Sequence, residues 1–282
     1  MIEFDKLDYS YPGGAVALKG VTALVGDGIH LLLGENGAGK TTLLHVMAGL
    51  LRPQSGKCLV DGVDVARRLP STMASLFLVG ENPDFGCHTI NEFAERHAVF
   101  YPTFSREVLE ASLVEFGLTG DEPMASLSLG ARKRSCIAYA VALRTSLLLL
   151  DEPANGLDID GRKALQRVLA AHVGEGQTVV VSTHTVWDLK NLFDGVIVLA
   201  GARLLLARPV VDVTARMAFV NSWQPLPDAV YSENRGASYG SIIDAAIHGE
   251  TDIDYQLLYS ALHSDRAQEV LKMMNDGDCC DE

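Results

Sequence analysis

Two stretches of this sequence, about 110 residues apart, carry residue types able to hold and split a phosphoanhydride. The first, Gly34-Glu35-Asn36-Gly37-Ala38-Gly39-Lys40-Thr41, fits G-x-x-x-x-G-K-[ST] at every fixed position and is followed by Thr42. Glycines let the backbone turn its N–H groups towards phosphates, and a helix N-terminus adds about half a positive charge. In such a loop Lys40 reaches the β- and γ-phosphates of a nucleotide, and the Thr41 hydroxyl binds Mg²⁺. The second stretch, Leu147-Leu148-Leu149-Leu150-Asp151-Glu152, reads as a buried strand ending in two acids. Successive side chains on a strand face opposite ways, so the two carboxylates are expected to do different work. Asp151 belongs beside the Mg²⁺ shell, and Glu152 faces the γ-phosphate as a general base or water-orienting group. An ordinary acidic strand end is the plain alternative for the pair taken alone. The upstream loop is what tips the balance.

The elements that must position these groups are short apolar runs alternating with helical stretches. His30–Leu33, Leu76–Val79, Leu147–Leu150, Thr178–Val181, Val196–Leu199 and Arg203–Leu206 read as strands. Lys40–Leu51, Ile90–Val99, Arg106–Phe116, Gly130–Leu143 and Gly161–His172 read as helices. This alternation predicts an α/β domain with a parallel core sheet, and the more polar Ile2–Ser10 and Lys57–Asp61 suit an antiparallel flank.

Further motifs, in order, make the chain resemble the nucleotide-binding domain of ATP-binding-cassette (ABC) proteins over residues 2 to 208. Leu127-Ser128-Leu129-Gly130-Ala131 looks like the family's signature segment, with Arg134 at a commonly basic position. The resemblance implies that Ser128 and Gly130 cap the γ-phosphate of ATP bound to a second subunit. Leu129 and Ala131 depart from the usual glycine and glutamine, which weakens that contact. Asn155-Gly156-Leu157-Asp158 resembles the D-loop that touches the other subunit, and Ser182-Thr183-His184 the switch histidine, which implies that His184 bonds the γ-phosphate. Tyr11 resembles the aromatic that stacks on adenine, with Tyr9 as competitor. Glu81 stands where the family has a glutamine that senses Mg²⁺, and adds negative charge there. Phe85, Phe93, Phe100, Tyr101 and Phe104 fall in the region that receives a membrane subunit, although at least half of them are expected in the chain's own core.

The resemblance thus implies a P-loop NTPase fold with a parallel core sheet, an antiparallel β flank and a helical subdomain at about 86–143. It implies an ATPase with ATP and Mg²⁺ as cofactors, working through separate transmembrane permease subunits and a second ABC ATPase subunit. The expected location is cytoplasmic, at the inner face of the membrane. Glu81 and the relaxed signature look like those of export cassettes. A soluble cassette that clamps a macromolecule is the alternative, and a small-molecule kinase a third reading that leaves the D-loop and histidine unexplained.

Bulk properties narrow the partners. The net charge of −13 disfavours nucleic acid and anionic lipid surfaces, which need a basic patch. Twelve acidic and three basic residues lie from Asn221 onward, so that segment carries −9 of the total. Residues 1–208 are therefore read as the main domain and 209–282 as an acidic C-terminal extension. Asp254 is expected to cap a helix in it, with Leu258, Ala261, Leu262, Val270, Leu271 and Met274 on the apolar side. Whether the extension serves dimerisation, permease docking or packing on the main domain stays open. The cysteines, five in number and without zinc-type spacing, suit a reducing compartment. No apolar run reaches the ~18 residues of a spanning helix.

Overall fold

The computed structural model describes residues 1–183, 189 and 191–275. Its centre is a six-stranded sheet: β3 (Gly28–Leu33), β6 (Leu76–Val79), β7 (Leu147–Asp151), β8 (Thr178–Ser182), β9 (Gly195–Ala200) and β10 (Arg203–Pro209), in the order β10-β9-β3-β8-β7-β6. All neighbours pair in parallel except β10, which runs antiparallel along β9. Every residue of β7 and of β8 is buried, so these strands are apolar without alternation.

The pleat nonetheless sorts their side chains onto two faces. Leu31, Leu148, Leu150, Val179 and Val181 join one apolar cluster, and Leu32, Leu147, Leu149 and Val180 the other. The second face is covered by α1 (Lys40–Met47) through Leu43, Leu44 and Met47, which fixes the helix that follows the phosphate-binding loop. It is completed by a four-stranded antiparallel sheet of β1 (Ile2–Ser10), β2 (Val16–Val25), β4 (Ser55–Val60) and β5 (Val63–Asp64), followed by the short α2 (Pro70–Ala74). β2 was not predicted. Its pairing with β1 shifts register three times, which breaks the alternation a strand would otherwise show.

The other face carries α3 (Ile90–His97), α4 (Arg106–Glu115), α5 (Leu129–Ala142) and α6 (Ile159–His172). Phe77, Phe85, Phe93 and Phe104 gather around the buried Tyr139, with ring centroids 4.9–6.2 Å from it. Phe100 is exposed. Most of the aromatics in this stretch are thus core.

Beyond Pro209, α7 (Val210–Thr214) leads into a three-stranded antiparallel sheet of β11 (Met217–Ser222), β12 (Tyr231–Asn234) and β13 (Tyr239–Asp244), with β13 central. α8 (Ala245–His248), α9 (Tyr255–Leu262) and α10 (Ala267–Asn275) follow. Asp254 caps α9 by accepting from the Leu257 N–H at 2.9 Å, as its sequence position predicts. The expected single helix is broken at 263–266, so Val270, Leu271 and Met274 lie on α10. Met217, Phe219, Tyr255 and Leu258 belong to the same apolar cluster as Leu31 and Leu148, so the extension packs on the main domain.

Candidate nucleotide site

The loop between β3 and α1 is shaped by glycines at two close approaches. A β-carbon on Gly39, at φ +106°, would lie 2.3 Å from the Ala17 carbonyl oxygen, and one on Gly34 would lie 2.8 Å from that of Leu199. Both positions therefore exclude a side chain. Lys40 is buried, and its Nζ donates to the carbonyls of Gly34 (2.7 Å) and Glu35 (3.2 Å). Its ammonium thus lies within the loop Gly34, Glu35, Asn36, Gly37, Ala38, Gly39.

Thr41 points at the end of β7, its hydroxyl donating to Asp151 Oδ2 at 2.8 Å. The other Asp151 oxygen accepts from Ser182 Oγ at 2.5 Å. Residues 110 apart in sequence are thus joined as the sequence requires, because β3 and β7 both flank β8. Thr42 turns the other way and shares a hydrogen bond of 3.0 Å with the Tyr11 phenol. Tyr11 is 40% exposed beside the loop, whereas Tyr9 is buried at its edge, with ring centroids 5.1 Å apart. Strand alternation would have put both on one face, but β1 ends at Ser10, before Tyr11.

Glu152 differs from the sequence expectation in how it is aimed. β7 stops at Asp151, and Glu152 has φ 46°, a left-handed conformation. Strand alternation therefore does not set the direction of the Glu152 side chain; the turn does. The Glu152 N–H donates to the carbonyl (3.0 Å) and Oγ (3.1 Å) of Ser182, and its carbonyl accepts from Lys133 Nζ at 3.0 Å. Lys133 also donates to the Asn155 carbonyl at 2.9 Å. Burial draws the Lys133 pKa below the ordinary lysine range, opposed by the carboxylates of Glu81, Glu152 and Asp151. Lys133 was missed from sequence: within Arg132-Lys133-Arg134 it reads as one more solvated base. Arg134 instead donates from Nη1 to the Phe116 carbonyl.

Glu81 is exposed on the segment after β6 and accepts from Asn155 Nδ2 at 2.8 Å, which ties it to the loop after Glu152. Ser128 caps α5, its Oγ accepting from the Ala131 N–H at 3.2 Å. That bond uses a lone pair and leaves the hydroxyl proton for another acceptor. A β-carbon on Gly130 would lie 3.0 Å from the Gly156 carbonyl oxygen, so a side chain there would need the loop at Gly156 to shift by a few tenths of an ångström. Leu129 is 54% exposed. His184 lies outside the described residues, although Ser182 and Thr183 before it are buried at the end of β8.

The extension reaches this site. A cavity of about 920 Å³ separates Glu35, Asn36 and Thr183 from Phe219, Arg235 and Tyr259. Among the described residues, no helix is long and apolar enough to cross a membrane.

Known proteins resemble this chain over most of its length. The family profile described as ABC transporter matches residues 22–155. The energy-coupling factor transporter ATP-binding protein EcfA of Methanothermobacter thermautotrophicus is 34% identical over 216 residues, covering 73% of this chain and 70% of that protein. The cobalt import ATP-binding protein CbiO of Rhodobacter capsulatus is 35% identical over 251 residues, covering 84% and 90% respectively. The solved structure of cbiO1 from Clostridium perfringens, part of the ABC transporter complex cbiONQ, superposes with a TM-score of 0.62. It has 28% identity, and the match covers 74% of this chain and 88% of that one. The chain belongs to the ABC transporter family, as an ATP-binding, ATP-hydrolysing subunit.

Proposed function

We propose that two copies of this ATPase, or this chain and a second cassette subunit, close around two ATP molecules and so drive separate permease subunits at the cytoplasmic face of the membrane. The observation that carries the reading is the pairing of a complete phosphate loop with Asp151 and Glu152 across one sheet edge. Tyr11 stands where it could stack on adenine. Lys40 and the N–H groups from Gly34 to Thr42 would take the phosphates. The Thr41 hydroxyl and Asp151 carboxylate, 2.8 Å apart, are hard oxygen donors that fit Mg²⁺. Bound there, the ion would neutralise charge on the β- and γ-phosphate oxygens. Glu81 is the third candidate for that ion, and its carboxylate accepts from Asn155 Nδ2.

In this reading Glu152 orients a water for attack on the γ-phosphorus and accepts its proton as the bond to ADP breaks. His184 would hold the γ-phosphate from the β8 side. Ser128 and Gly130 would complete the other copy's site, and loss of the γ-phosphate would release the pair. E152Q is expected to lower ATPase turnover by about 10²–10⁴-fold while leaving ATP binding intact. Wild-type turnover in that variant would rule out the role.

On direction, Glu81 and the relaxed signature suggest export, whereas the named cobalt importer supports uptake. Uptake is the direction to test first, by ATP-driven accumulation in vesicles containing the co-purified membrane subunits.

A further inference from the structure

The buried Lys133 occupies a position that the reading above leaves without a role. It lies on α5, one turn after Ser128, and only 2% of its surface is exposed. An ammonium is unfavourable inside a protein unless its protons are well placed. Here they meet two carbonyls that border the same turn, those of Glu152 and Asn155. The turn is closed by the Asn155 N–H donating to the Glu152 carbonyl at 3.2 Å.

Glu152 is consequently held at both of its backbone polar atoms, from two different elements. Its N–H is fixed by Ser182 at the end of β8, and its C=O by Lys133 on α5. With φ at 46°, these two clamps set the direction in which the side chain leaves the backbone. Asn155 is held in the same double manner, its side chain by Glu81 and its carbonyl by Lys133. A continuous set of contacts therefore joins the segment after β6, the loop after β7 and the helix that begins at Ser128. A neutral amide could donate two hydrogen bonds, but it would not offset the negative charge that Glu81 brings to this group of carboxylates.

We propose that Lys133 is a positioning residue for ATP hydrolysis, which aims the Glu152 carboxylate by holding the Glu152 carbonyl and ties that aim to the start of α5. The proposal rests on the reading of Glu152 as the group that acts on the attacking water. Because Ser128 and Gly130 open the same helix, a nucleotide closing on them from the other copy would press on the element that holds Glu152. Lys133 thereby supplies a route from closure at one site to readiness at the other.

The test is a double-substitution cycle in the full chain, read as steady-state ATPase kinetics and as binding of a fluorescent ATP analogue. K133M is expected to lower kcat about 10- to 100-fold, the scale of a small misplacement of a reacting group, with KM and analogue affinity within about two-fold. In the E152Q background the same change should have little further effect, because Lys133 acts through Glu152. K133R keeps N–H donors and the charge, and should recover part of kcat; it also serves as the test variant should K133M be insoluble. The proposal is overturned if E152Q slows turnover but K133M leaves kcat unchanged, or if the two losses multiply. An unchanged kcat in E152Q would instead remove the underlying reading of Glu152, and Lys133's role with it.

Discussion

The phosphate loop and the signature segment are both glycine-containing stretches at the start of a helix, yet they are finished to different degrees. In Gly34–Thr42 the lysine and both threonines already have an address: Lys40 on loop carbonyls, Thr41 on Asp151, Thr42 on Tyr11. In Leu127–Ala131 the only side-chain oxygen caps its own helix, and the next residue, Leu129, faces solvent. One region is built around a ligand held by its own chain. The other is a prepared surface whose ligand, in the proposed dimer, comes with the other copy.

That contrast can be broken most sharply at Lys40. K40A is expected to reduce turnover by about 10²–10³-fold, since it removes a fixed charge from the phosphates, and to weaken ATP binding in an equilibrium titration. S128R should reduce turnover by about 10²-fold, because its long side chain would fill the exposed surface proposed to receive the other copy's γ-phosphate, but should leave ATP binding by the separate chain unchanged. Mixing the two inactive variants then distinguishes the regions directly. A mixed dimer has one site with both defects and one with neither, so mixing should restore activity. A mixture as inactive as its parts would place both regions in one chain's site. At the small end, S128A should cost about 1 kcal/mol of stability as a lost helix cap, measured by denaturant unfolding.

The two regions also differ in how far sequence reveals them. The loop is legible because each fixed residue answers a local backbone need, and the strands before Lys40 and Asp151 because burial on both faces makes them uninterrupted apolar runs. Other features depend on contacts that no local pattern contains. Lys133 lies among bases and becomes buried only because the Glu152–Asn155 turn lies over α5. Glu152 was expected to be aimed by strand alternation, but the strand ends at Asp151 and the chain turns left-handed at Glu152. The sheet of β11, β12 and β13 escaped notice because its strands are short and one, Tyr231–Asn234, is mostly polar. The cap at Asp254 was readable, whereas the break after Leu262 was not, since apolar spacing continues across it.

The left-handed turn at Glu152 has a consequence for how this enzyme can be improved. That conformation suits glycine and is unfavourable by about 1 kcal/mol for a residue with a β-carbon. Random selection for thermal stability would therefore be drawn to E152G, a change that relaxes the backbone and removes the carboxylate proposed to act on water. Stability and turnover compete for this one position, so a screen that monitors only folding would drift towards inactive chains.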